Sequence, residues 1–301
     1  MAGCSLHTTP PGVPEPTLQR EAEELDLLIV SGGEGEAATL LVGSGGEVAA
    51  IDGGPLGGPL AVLLDLCQRW GACEPDHVIA TPAPPRGSPG LLFLLAGEDR
   101  QPGTDDDRVP AGARLEIDSE RPCPALACHA LRDLLGPERA ARDGDTLLLG
   151  EGHRLRLTLE GPSPRLSIWR GGEASRVEAG ALLWGPAPCR LPAGSEGWAF
   201  ADLTRCPGGT LELEAPDRAP PLVVLSRGAG DCEALERDHD LLQAAGSRVL
   251  VVGEPAEGAR CRLPGPRVGR HLILRVGGGE ARPLRLEPDG ALRPLPTPPS
   301  P

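Results

Sequence analysis

Residues 29–55 read IVSGGEGEAATLLVGSGGEVAAIDGGP. Apolar runs at 25–30 and 37–42 flank one Gly-rich turn, and a second turn at 43–46 leads to a third run at 48–51. Runs of this length between turns of this composition predict an antiparallel meander. Asp52-Gly53-Gly54-Pro55 closes it. A helical segment at 60–70 and a short apolar run at 77–80 follow. Three strands, a helix and a fourth strand describe a mixed sheet with a helix packed on it.

Gly33-Glu34-Gly35-Glu36-Ala37 and Ile51-Asp52-Gly53-Gly54 stand in an order and spacing that resemble the metallo-β-lactamase fold. The branch is that of the soluble domain of the competence protein ComEC, which runs GQGDA, strand, turn, IDGG, helix, strand. Two later stretches are similar to the same branch. They are the hairpin GDTLLLGEGHRLRLTLEGP at 144–162 and the helix end and strand LLQAAGSRVLVVG at 241–253. The resemblance implies an α+β protein, a metallo-β-lactamase-like αββα sandwich of two mixed sheets with helices on the outer faces. It covers residues 25–290, between a Pro-rich and acidic tail at 1–24 and a Pro-rich tail at 291–301. Gly33, Gly35, Glu36, Asp52, Gly53 and Gly54 are the retained fold-motif residues, and the family role of Asp52 is largely structural.

The same resemblance places a metal motif, HxHxDH, just after Ile79. The chain there reads ATPAPPRGSPGLLFLL at 80–95, with no His, Asp, Glu or Cys. The ligand positions fall on Thr81, Ala83, Pro85 and Arg86, and a later bridging Asp falls on Pro186. Zinc takes nitrogen, sulfur or carboxylate ligands, normally three or more from the protein. Arg86 would set a fixed positive charge where a dication belongs. The family's HPH loop falls near residues 232–235, which read CEAL, and His239 comes several residues too late.

Composition narrows the functions further. The 301 residues carry a net charge of −14, and all 29 basic residues are Arg. A nucleic-acid binder gains much of its affinity by neutralising phosphates, so this balance speaks against a nucleic-acid partner. No apolar run approaches the ~20 residues of a membrane span. Nine Cys occur without a CxxC pair. An odd count with no signal peptide predicts free thiols and a cytoplasmic location.

Other clusters read as ordinary structure. Asp105-Asp106-Asp107 lies in a turn-rich stretch without the spacing of a calcium loop. A helix over 123–142 carries Cys128 and His129 on different faces. His153 begins a strand and is expected to face outward with Arg154 and Arg156. A hairpin across Gly277-Gly278-Gly279 sits beside Arg275, a weak candidate for anion binding. No GxSxG elbow, P-loop or dinucleotide motif is present.

Three functions follow. The first is a catalytically inactive metallo-β-lactamase-fold protein of bacterial origin, with no cofactor, a binding or scaffolding role and a protein partner. The second is a hydrolase with zinc or manganese at a relocated site drawn from Asp52, His77, Asp231 and His239. The third is an interaction protein read through its Pro-rich ends. The loss of every ligand position inclines the reading away from an enzyme.

Overall fold

The computed structural model describes residues 24–31, 37–54, 75–80, 88–97, 101–107, 109–110, 114–115, 126–136, 142–149, 152–158, 165–170, 177–183, 189–191, 193, 197–202, 211–226, 232–253, 267–268, 271–277, 280–286 and 292–295.

The meander forms as the sequence predicts. Strands β1 (Leu25–Ser31), β2 (Ala37–Val42) and β3 (Val48–Gly53) pair antiparallel. Strands β4 (His77–Ala80) and β5 (Arg114–Leu115) then add in parallel. On the other side of β1 the C-terminal strands complete an eight-stranded sheet. They are β16 (His271–Gly277), β17 (Glu280–Leu286) and β18 (Leu292–Pro294).

The second eight-stranded sheet runs from an antiparallel half into a parallel half. The antiparallel half holds β6 (Thr146–Leu149), β7 (His153–Thr158), β8 (Arg165–Arg170) and β9 (Val177–Leu183). The parallel half joins β9 to β11 (Trp198–Asp202), β13 (Leu222–Ser226), β14 (Arg248–Val252) and β15 (Arg267–Val268). A two-stranded ribbon of β10 (Cys189–Leu191) and β12 (Leu211–Leu213) stands apart.

Period-2 alternation sorts the side chains into three layers of core. Leu25, Leu27 and Ile29 of the first sheet meet Leu155, Leu166, Phe200 and Val224 of the second. The opposite face of the first sheet, with Leu28, Val30, Leu40 and Val78, is covered by two helices. These are α1 (Ser88–Leu95), through Leu91 and Leu95, and α2 (Leu126–Leu135), through Leu131 and Leu135. The outer face of the second sheet receives α3 (Cys232–Ala244), through Leu235 and Leu242, together with the ribbon. Helix, sheet, sheet and helix make the expected αββα sandwich.

A buried ion pair ties the ends of the chain together. Asp26 on β1 lies directly across from Arg275 on β16. Arg275 donates from Nε to Asp26 Oδ1 at 2.9 Å and from Nη2 to Oδ2 at 3.1 Å. Glu24 adds a carboxylate oxygen 3.8 Å away. The hydrogen bond to Asp26 raises the guanidinium above its ordinary pKa, against desolvation and with help from the Asp26 and Glu24 charges.

Several expectations need correction. Leu292–Pro294, assigned to the C-terminal tail, pairs with β17, because Leu292 and Leu295 pack on the two faces of the first sheet. Glu24, assigned to the N-terminal tail, engages Arg275. The strands at 267–268 and 271–277 belong to different sheets. The helix expected over 123–142 ends at Leu135, where Gly136 takes φ 77° and its amide bonds to the Arg132 carbonyl. His153 is buried beside Leu155 and Leu157, not outward, since positions 153, 155 and 157 share one parity. The helix expected at 60–70 lies outside the described residues. Among the described residues no helix is long and apolar enough to cross a membrane.

Candidate functional site

The corner where β3 meets α1 is built from the IDGG stretch. Thr39 pairs with Ile51, and Ala38 pairs with Gly53, so Asp52 is the extra residue of a β-bulge. Its φ is 48°, the one positive value for a described residue other than glycine. Aspartate tolerates this left-handed region better than most residues. Bulges bend a strand and redirect its side chains. Here the bulge turns the end of β3 towards α1, and Asp52 itself is buried.

Backbone meets backbone at this corner. A Cβ on Gly53 would overlap the Leu91 amide nitrogen and the Gly90 carbonyl carbon, and a Cβ on Gly90 would overlap the Gly53 carbonyl. The Gly90 amide donates to the Gly54 carbonyl at 3.0 Å. That bond satisfies one of the orphan donors in the first turn of α1. Gly53 and Gly90 are therefore required by close approach, and Gly54 by its φ of 65°.

The other residues of the motifs fall elsewhere. Gly33, Gly35 and Glu36 lie outside the described residues. So do Thr81, Ala83, Pro85, Arg86 and Pro186, and so does Asp231. The side chains at the five positions where the sequence resemblance would put ligands offer a hydroxyl, a methyl, two proline rings and a guanidinium. This set does not fit a zinc or manganese ion.

The remaining candidates for a relocated site are not brought together. His77 lies on the inter-sheet face of β4, in line with Ile79. Its Nε2 lies 2.6 Å from the Leu148 carbonyl oxygen on β6. A carbonyl only accepts, so Nε2 carries the proton and donates, clipping one sheet to the other. His77 pairs with Ala49, three residues before Asp52 on the neighbouring strand, so the two are separated by about 10 Å of strand. His239 is buried on α3, whose buried leucines pack on the far face of the second sheet. Stacked sheets lie about 10 Å apart, which keeps His239 away from Asp52 and His77. Its neighbour Asp238 is also buried and accepts from the Arg237 guanidinium at 2.8 and 3.1 Å. Among the described residues no group of three or more His, Cys, Asp or Glu could hold a metal ion.

The remaining clusters resolve into structure. The Asp107 carboxylate accepts from the Gly103 amide at 2.7 Å, and that of Asp106 from the Thr104 hydroxyl at 2.6 Å. These acids shape their own turn. His129 is exposed on α2. Arg275, the candidate anion binder, is committed to Asp26. Cys232 is disulfide-bonded, against the expectation of free thiols, and its partner lies outside the described side chains. Disulfides persist in oxidising compartments, so the cysteines no longer support a cytoplasmic location.

No protein-family model matches this chain, and no curated protein does. Among solved structures it is similar to the metallo-beta-lactamase fold protein YhfI from Bacillus subtilis. The identity is 13%, the TM-score 0.43, and the match covers 77% of this chain and 98% of that one.

Proposed function

We propose that this chain is a catalytically inactive metallo-β-lactamase-fold protein, related to the ComEC branch, that acts by binding or scaffolding a protein partner. One observation carries the reading. The segment at 80–95 that should supply the first ligands has no metal-binding side chain. Yet the corner it feeds keeps its bulge at Asp52 and its contact between Gly53 and Gly90. A dinuclear hydrolase of this fold uses its metals to generate hydroxide near neutral pH and to polarise the scissile group. A chain that has kept the scaffold and lost those ligands keeps the fold without that chemistry.

The relocated hydrolase site has less behind it. It would need His77, whose Nε2 is engaged with Leu148, and His239, a layer away from Asp52. Thermal unfolding separates the two readings. A ligand that binds only the folded state stabilises it by about 2.7 kcal/mol at a hundredfold excess over Kd. The inactive reading predicts the same midpoint in EDTA, in zinc and in manganese. A midpoint several degrees higher with either metal would favour the relocated site.

A further inference from the structure

The outer face of the second sheet is covered by α3 and the β10–β12 ribbon over β11, β13 and β14. At its antiparallel end, Thr146, Arg154, Arg156 and Trp169 line a small cleft. Strand register builds it. Arg156 lies directly across from Thr146, and Arg154 directly across from Trp169. Positions 154 and 156 share one face of β7, opposite to Leu155 and Leu157, so two guanidiniums stand on the same surface. A register shift between Ile168 and Trp169 sets the position of the indole. Such bulges re-aim side chains.

The chemistry of the lining is one-sided. Two guanidiniums, a hydroxyl and an indole N–H contribute, and among the described side chains no carboxylate lines the cleft. The Trp169 Nε1 is buried and has no hydrogen-bond acceptor. A buried donor left unpaired costs about 1–3 kcal/mol, which an acceptor from outside the chain would offset. Arg156 is exposed and forms no ion pair with a carboxylate among the described residues. In a chain of net charge −14, this is a local positive site on a repulsive background. The space admits a group of a few heavy atoms.

We propose that this cleft binds a small oxyanion, a phosphate or a carboxylate group, through the Arg156 guanidinium and the Trp169 indole N–H. Guanidinium forks match both groups with paired, charge-assisted hydrogen bonds. The site is separate from the Asp52 corner and does not depend on whether the chain binds a metal.

The test titrates the full chain with inorganic phosphate, and separately with acetate and citrate, at constant ionic strength. Calorimetry and tryptophan fluorescence follow binding. One of these anions should saturate, and the tighter class identifies the ligand group. Arg156→Gln should weaken it by about tenfold or more, the worth of one charge-assisted hydrogen bond. Trp169→Phe keeps the ring, removes the N–H and should weaken it by about three- to tenfold. Arg190→Gln, on the β10–β12 ribbon, should leave it unchanged. Both arginine side chains reach solvent, and circular dichroism verifies that the variants fold. No saturable response to any of the three anions up to about 50 mM would overturn the proposal, as would unchanged affinity in Arg156→Gln.

Discussion

Two corners of the sandwich, the end of β3 and the start of α3, are specified in different ways. At the end of β3 the backbone itself sets the geometry. Asp52 occupies a left-handed bulge, and Gly53 and Gly90 are in backbone contact. At the start of α3, which leads into β14, side chains set it instead. Cys232 stands there in a disulfide, and the buried His239 sits within the helix. The first corner is fixed by close backbone approach, and the second by a covalent bond and a buried imidazole. Gly53 and Gly90 are needed by the packing of α1 on β3, whether or not a metal is bound.

The largest expected effect breaks the first corner. Gly90→Ala or Gly53→Ala sets a Cβ into backbone that cannot yield like a flexible side chain, and should cost about 4 kcal/mol in urea unfolding. A loss below about 1 kcal/mol would mean that α1 docks loosely and the corner is not a scaffold.

The Asp26–Arg275 pair comes next. Arg275→Met leaves a buried carboxylate without its guanidinium and should cost about 3 kcal/mol. The folded-state pKa of Arg275 is raised, so the pair's contribution on the arginine side is complete below the unfolded pKa. It is lost only as pH rises through the folded one, above the ordinary arginine range. From the arginine side the difference between wild type and Arg275→Met should therefore stay constant from pH 7 to about 10.

Asp52→Ala tests the bulge. Alanine at φ 48° is strained, and the buried carboxylate's contacts are lost, so about 2 kcal/mol is expected. Asp52→Asn, which tolerates the same backbone, should cost about half as much. Equal costs would assign the effect to the charge rather than to the backbone. The smallest effect is that of His77→Ala. It removes one hydrogen bond between the sheets and should cost about 1 kcal/mol in the same unfolding measurement. A change in bound metal in this variant would instead make His77 a ligand.

Much of this fold was legible in the sequence, and the failures have physical causes. Strands β1 to β4, the β6–β7 hairpin and the β13–α3–β14 unit have runs bounded by turn residues, so local pattern finds them. Helix α1 was missed because its eight residues, SPGLLFLL, are apolar on every side and carry no helical period. Strand β11, WAFAD, is short, and residues 198–201 are buried on both faces, so it does not alternate. Strands β15 and β16 read as one run because the chain passes between the sheets within two residues. At the site, the missing donors at 80–95 are plain in the sequence. The bulge at Asp52 and the approach of Gly90 to Gly53 are long-range contacts that local pattern does not encode. The donor cleft on β6–β8 arises in the same way. Arg154 and Arg156 are visible as a pair, but Trp169 joins them only through strand register.

The central claim is a metallo-β-lactamase-like scaffold without its metal chemistry. The metal content of untagged protein, purified from zinc- and manganese-supplemented medium, tests it most directly. The account predicts less than about 0.1 ion per chain, since a formed site retains its ion. One or two ions per chain would contradict it, and would place a working centre among residues outside the family's positions.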